Sequence, residues 1–307
     1  MRPAVVPVMA PRPRPESAGQ ATAVDGHLGA SRGGPRGCVR RAADWVSWRT
    51  VPTFAAGGLA TLAVALLVWC RGPARGDSAV TDRMVRWWAG VWLRAAGARV
   101  AVEGLERAWP AAPCAVVSNH QSNLDPIVQL RVLPVSLRVL AKREMFRILL
   151  LGPAMRTIGM IEVDRDSPDF RRIDQAAARD LAAGHSLLTY PEGTTSPDGA
   201  IREFKDGAFI IAIVNQVPVV PVAIHGTCRI WPPGRSAIRG GPVRVVVGSP
   251  LQTGGLTQHD AARLRDQARD AICSAHRDLV TAMEERGLSG TEARRLKPRR
   301  KRTGGKA

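Results

Sequence analysis

The chain has 307 residues, 45% of them apolar, enough for a sizeable core in one large or two small domains. Its formal net charge of +18 is mostly terminal: residues 294–307 hold eight Lys and Arg and no acid, and residues 1–50 hold eight Arg against Glu16, Asp25 and Asp44. The stretch between is only mildly basic, which argues against a basic nucleic-acid-binding fold, and five cysteines without metal-ligand spacing point to a reducing setting.

Residues 1–48 are rich in Pro, Arg, Gly and Ala without periodicity and read as disordered. They contain a G-x-S-x-G pattern at Gly29–Gly33, but no strand precedes it and no helix follows, so it is not a nucleophile elbow. Residues 51–70 are twenty residues without a charge between Arg49 and Arg71, long enough to span or embed in a bilayer core. The next helix carries Met84, Trp87, Trp88, Val91, Trp92 and Ala95 on one stripe, with Arg83, Arg86 and Arg94 on an adjoining face. Seven of the eight tryptophans fall between positions 45 and 109, which favours an aromatic belt at a membrane interface over core packing. Arginines flank residues 51–70 about equally, so a single span and a re-entrant hairpin both remain open.

From residue 99 the pattern is α/β. Short apolar runs at Val100–Val102, Ala115–Val117, Leu137–Ala141, Ile158–Val163, Leu187–Tyr190, Val219–Ile224 and Val243–Val247 read as strands. A helix capped by Ser167-Pro168 buries Phe170, Ile173, Ala177 and Leu181 and stops at Gly184. Residues 207–216 and 257–286 make two more helices, the second amphipathic and packed on the outside, and the tail from 291 is solvated.

Two polar loops follow apolar runs, where α/β enzymes keep their chemistry. In Ser118–Pro126, Asp125-Pro126 reads as a helix cap and first helical position. His120 and Asp125 are too far around a single helix to meet, but they can meet across the turn that precedes it. A carboxylate beside an imidazole fixes its tautomer and stabilises the imidazolium, so the pair is a general base with its orienter. It brings no nucleophile, which must then be a substrate hydroxyl. In Tyr190–Ser196, glycine lets backbone approach a ligand, and hydroxyls and amides can hold an anionic or hydroxylated group. Lys142–Phe146 and Gly159–Arg165 lie between the two loops.

In this order, Asn119–Asp125, Lys142–Phe146, Gly159–Arg165, Tyr190–Thr195 and Val219–Ile224 resemble the blocks of the 1-acyl-glycerol-3-phosphate acyltransferases, within the wider glycerolipid acyltransferase family. The resemblance covers about residues 99–250. It implies an α/β fold with a mixed central sheet flanked by helices and preceded by a membrane-binding helical segment. The expected organisation is a disordered terminus over 1–48, a membrane segment over 49–98, an acyltransferase domain over 99–290 and a basic tail over 291–307. It further implies transfer of an acyl group from acyl-CoA or acyl carrier protein to a lysophospholipid, giving phosphatidic acid when the acceptor is 1-acyl-glycerol-3-phosphate. His120 would be the base and Asp125 its orienter, with Asn119, Lys142, Arg165, Glu192, Gly193 and Thr194 holding substrate. No metal and no cofactor beyond the thioester co-substrate is expected, nor any nucleic acid; the enzyme would work on an anionic membrane surface, its catalytic domain facing the cytoplasm.

Two positions depart from the family, and at the first of them, Tyr190, the resemblance leads to a phenylalanine. Thr195 stands where the family usually carries an arginine, which leaves lyso-ornithine lipid or lysophosphatidylcholine open as alternative acceptors. Two rival readings belong to other classes. One is a membrane-tethered protein binding nucleic acid with its tail, but that tail lacks interleaved aromatics. The other is a metal hydrolase built on His120 and Asp125, but His27, His185, His225, His259 and His276 lack ligand spacing.

Overall fold

The computed structural model describes residues 48–71, 79–110, 113–149, 151–164, 167 and 169–295. Two helices come first, α1 (Thr50–Arg71) and α2 (Ala79–Ala96). The remaining elements follow as β1 (Ala98–Glu103), α3 (Leu105–Ala108), β2 (Ala115–Ser118), α4 (Asp125–Val132), β3 (Leu137–Lys142), α5 (Leu151–Thr157), β4 (Ile161–Val163), α6 (Phe170–Ala182), β5 (Ser186–Thr189), α7 (Gly207–Val214), β6 (Val219–His225), α8 (Thr227–Ile230), β7 (Gly241–Val247) and α9 (Ala261–Arg295). Of the expected disordered terminus (1–48) residues 1–47, and of the expected tail (291–307) residues 296–307, lie outside the described residues, whereas residues 291–295 continue α9.

All seven apolar runs become strands of one sheet, ordered β1-β7-β6-β2-β5-β3-β4. Every neighbouring pair is parallel except β6 with β7, so the sheet is mixed, as expected. The central strands β2, β5 and β6 are buried along their whole length, because helices cover both faces. Side chains alternate between two cores with the period of a strand. Val116, Val220, Val222 and Ile224 face α2 and α4, whereas Ala115, Val117, Val219 and Ala223 face α7 and α9. A third cluster joins Leu187 and Ile161 to Ile173, Ala177 and Leu181 of α6.

The helical pair is part of this architecture rather than an appendage. Residues 49–98 contribute Ala89, Trp92, Leu93 and Ala96 to the same core as the sheet. α1 lies against α2, and a Cβ on Gly57 would fall inside the Trp92 indole, so the approach requires glycine there. Thr61 accepts hydrogen bonds from the indoles of Trp88 (2.8 Å) and Trp92 (3.4 Å). The expected single apolar stripe on α2 is therefore split: Trp88 and Trp92 pack inward, while Trp87 faces out. Trp48 and Trp69 are likewise exposed, so only part of the tryptophan cluster can form a belt.

Several boundaries moved. Ile158 packs at the end of α5 against Val64 and Val68, not in β4. α6 is capped by Asp169, whose side chain accepts from the Arg172 amide, and Phe170 is exposed on its first turn. Cys114 and Cys228 are both fully buried, and Cys228 is disulfide-bonded, which departs from the reducing setting expected from the cysteine spacing.

α9 packs across β6 and brings His276 to His225, with His225 Nδ1 3.1 Å from His276 Nε2. Burial lowers both imidazoles from the ordinary 6.5, His225 to about 3 and His276 to about 4, with mutual repulsion adding to the shift at His225. Below pH 6.5 the unfolded chain therefore takes up protons that the folded pair refuses, and this contribution to stability falls as pH drops towards 4. His276→Gln should shrink the loss of melting temperature between pH 7 and pH 5; an unchanged loss would contradict the account.

Candidate active site

The sheet topology gathers the sequence blocks. β6, β2, β5, β3 and β4 are consecutive and parallel, so the segments that follow them all emerge at one edge. β2 delivers residues 119–124, its neighbour β5 delivers residues 190–196, and β3 ends at Lys142. Two loops some 70 residues apart in sequence thus become neighbours.

His120 and Asp125 meet as expected, with Nδ1 2.9 Å from Oδ2. Asp125 is not the helix cap, however. Leu124 takes that position, and the Asp125 carboxylate turns back to accept the amides of Gln121 (2.6 Å) and Ser122 (2.8 Å). Three donors on one oxygen of a fully buried carboxylate keep it in place, and Oδ1 has no hydrogen-bond partner among the described residues. Because a carboxylate only accepts, His120 must donate from Nδ1, which leaves Nε2 as the lone-pair nitrogen.

Glu192 joins the loops. Its Oε1 accepts the His120 amide at 2.8 Å and its Oε2 accepts the Arg202 amide at 3.1 Å, while the Ser196 amide donates to the His120 carbonyl at 2.8 Å. Burial raises the Glu192 carboxyl above its ordinary value, against the two amides that hold it ionised. Glu192, expected to hold substrate, spends a hydrogen bond of each oxygen on backbone, which ties the two loops together. Asn119, also expected to hold substrate, is tied to backbone as well. Fully buried, it donates to the Ile224 carbonyl and accepts the Ile224 amide, each at 2.9 Å, tying the end of β2 to β6.

Other expected residues are more open. Thr194 is exposed and Gly193, at φ +72°, holds the left-handed turn that lets the loop bend. The Lys205 ammonium lies 3.1 Å from where a Cβ on Gly193 would sit. Lys142 is exposed and 3.3 Å from Glu144. Arg165 lies outside the described residues.

Gln121, Gln129, Tyr190 and His276 support the site without having been assigned a role from sequence. The Gln121 side chain is 2.8 Å from His276 Nε2 and donates to the Gly199 carbonyl at 3.2 Å. Tyr190 stacks on the His120 ring with centroids 4.1 Å apart. A strand-end aromatic in the second loop was visible in the sequence, but its partner was not. Among the described residues, no group of three or more His, Cys, Asp and Glu is placed to hold a metal ion.

Residues 99–225, which take in both loops and the strands that carry them, match the family model described as Acyltransferase. Human 1-acyl-sn-glycerol-3-phosphate acyltransferase beta is 30% identical over 232 residues, covering 74% of this chain and 82% of that protein. Human 1-acyl-sn-glycerol-3-phosphate acyltransferase alpha is 33% identical over 192 residues, 60% of this chain; the match spans 66% of that relative's length. The crystal structure of the 1-acyl-sn-glycerophosphate (LPA) acyltransferase PlsC from Thermotoga maritima has the same fold, with a TM-score of 0.65 over 75% of this chain and 94% of that one, at 23% identity. Sequence kinship over most of a relative's length, with the same fold beneath it, establishes descent: the chain belongs to the acyltransferase family that includes the 1-acyl-sn-glycerol-3-phosphate acyltransferases.

Proposed function

We propose that the protein transfers a fatty acyl group from an acyl thioester, of coenzyme A or acyl carrier protein, to the free hydroxyl of 1-acyl-glycerol-3-phosphate, forming phosphatidic acid. The observation that carries this reading is the 2.9 Å His120–Asp125 pair, with no side-chain hydroxyl or thiol hydrogen-bonded to the His120 ring among the described residues. The nearby serine hydroxyls are committed: Ser122 donates to the Trp231 carbonyl, Ser118 to the Asn119 carbonyl and Ser196 to Asp198. The attacking oxygen is therefore the substrate's.

His120 Nε2 takes the hydroxyl proton as the oxygen attacks the thioester carbonyl carbon. The new C–O bond forms, the C–S bond breaks, and the imidazolium returns its proton to the departing thiolate. Asp125 stabilises the imidazolium in between, its position fixed by the Gln121 and Ser122 amides. The chemistry needs no metal or cofactor beyond the thioester. Asp125→Asn is expected to lower kcat by about 10²–10⁴-fold with acceptor KM nearly unchanged, and His120→Ala to abolish turnover in a folded protein. Wild-type kcat in either variant would contradict these roles.

The names of the relatives and the charge around the second loop bear on the acceptor. Position 195 supplies no guanidinium, an observation that favours lyso-ornithine lipid or lysophosphatidylcholine as the second reading. Lys205, over Gly193, supplies a cation to the same loop and supports a phosphate monoester instead. In an assay offering lysophosphatidic acid, lysophosphatidylcholine and lyso-ornithine lipid with one labelled thioester, the first should be preferred. Lys205→Ala should raise its KM about tenfold with little change in kcat; an unchanged KM would remove Lys205 from the acceptor site.

The membrane is met in the plane of one leaflet. α1 is long and apolar enough to cross a bilayer, but both its ends are held by the catalytic unit. Thr50 Oγ1 accepts the Ile238 amide near one end, and Val64 and Val68 pack on Ile158 near the other. A helix bound along its length to a water-soluble sheet cannot also run perpendicular through lipid. Its outer side exposes Leu59, Leu62, Leu66, Leu67 and Trp69, and the turn beside α5 exposes Met145, Ile148 and, at 85%, Leu149. Both substrates then meet on one side of the membrane, the cytoplasmic side where acyl thioesters are supplied. Replacing Leu66 and Leu149 together with glutamate should weaken partition onto anionic vesicles by about tenfold or more; undiminished partition would contradict this mode of docking.

A further inference from the structure

Tyr190 does more than end a strand. Its ring lies nearly parallel to the His120 imidazole, 4.1 Å between centroids and 20° between planes. Its hydroxyl donates to Gln129 Oε1 at 3.2 Å, and Gln129, fully buried on α4, donates in turn to the Ser118 hydroxyl at 2.7 Å. The ring is therefore tethered at its far end to the element that carries Asp125. The phenol stays a donor: burial, then the Asp125 charge, raises it well above its ordinary value.

We infer that Tyr190 is the positioning residue of the base, its ring backing the His120 imidazole and stabilising the imidazolium formed at turnover. This rests on the acyl-transfer reading of His120 and adds to it a second support, at right angles to the first. Asp125 holds the imidazole edge through Nδ1 and fixes the direction of Nε2. The Tyr190 face holds the plane of the ring and keeps water off one side of it. A cation centred over an aromatic face is attracted by the ring quadrupole, whereas the neutral imidazole gains little, so the stack favours the protonated base selectively. Interactions stronger in the charged intermediate than in the resting state are those that raise kcat.

The titratable groups around His120 are Asp125 from α4 and Glu192 from the loop after β5, with His276 of α9 and His225 of β6 reached through Gln121. The two outer histidines are held neutral by burial, and Glu192 is spent on the His120 and Arg202 amides. Removing the aromatic face therefore changes one influence on the base and leaves the others.

The test compares pH profiles of kcat for the full chain and for Tyr190→Phe, Tyr190→Leu and His120→Ala on vesicles of one composition. Tyr190→Leu should lower kcat about 3- to 30-fold with acceptor KM unchanged, and move the acid limb to lower pH by about half a unit. The sign follows because a base that loses stabilisation of its protonated form gives up its proton at lower pH. Tyr190→Phe, which keeps the face and loses only the tether, should keep the limb in place and most of the rate. Should Tyr190→Leu fail to fold, Tyr190→Met makes the same comparison. A profile that drops as a whole without moving its acid limb, or a Phe variant as impaired as Leu, overturns the inference while leaving the base in place. Turnover by His120→Ala at the wild-type rate would remove the acyl-transfer reading and this inference with it.

Discussion

The hydrogen bond from the His120 amide to Glu192 is the constraint on which the site depends. It joins the loop after β2 to the loop after β5, and it exists because those strands are parallel neighbours. The Ser196 amide answers it at the His120 carbonyl, so the base is clasped through its own backbone. A buried glutamate with both oxygens on backbone amides is costly to place and costly to disturb. In exchange the imidazole ring is left free for Asp125 on one side and Tyr190 on another. Side chains that hold substrate elsewhere in proteins here hold the loops that hold the base.

The meeting of His120 with Asp125 was legible in the sequence because both lie in one short segment. A strand end, a polar turn and Asp-Pro already restrict the backbone enough to bring them together. The seven strands were legible for a similar reason, each being a short apolar run. What the sequence hides is who the long-range partners are. Asn119 stands next to His120 in the motif, yet it turns away to pair with Ile224, 105 residues later. Nothing local separates a side chain aimed at a ligand from one aimed at the neighbouring strand. The same holds for Glu192, and for His276, whose contact with Gln121 spans 155 residues. Local competition explains the smaller shifts: Asp169 captures the cap of α6, and the Asp125 carboxylate is worth more to the amides behind it than to those ahead.

The helical pair was read as a membrane segment set before the enzyme, and its composition supports membrane contact. Its packing adds that the two are one body. Trp92 is stacked on Trp231 at 5.8 Å and meets Phe54 edge-on, so the tryptophans divide between an exposed face and a seam against the sheet. Arg138, buried in β3, reaches His185 at 2.9 Å and lies 3.7 Å from Asp82 of α2, a polar link across the same seam. The sheet edge that carries His120 is thereby fixed relative to the exposed apolar side of α1. In the proposed reaction such rigidity sets the depth at which a lipid hydroxyl gives its proton to His120.

The most direct measurement is a crystal structure of the protein with 1-acyl-glycerol-3-phosphate bound. The account predicts the free hydroxyl oxygen about 2.6–3.2 Å from His120 Nε2, with the imidazole still between Asp125 and Tyr190. An acceptor seated with that hydroxyl turned away from the imidazole, its approach blocked by either loop, would contradict it.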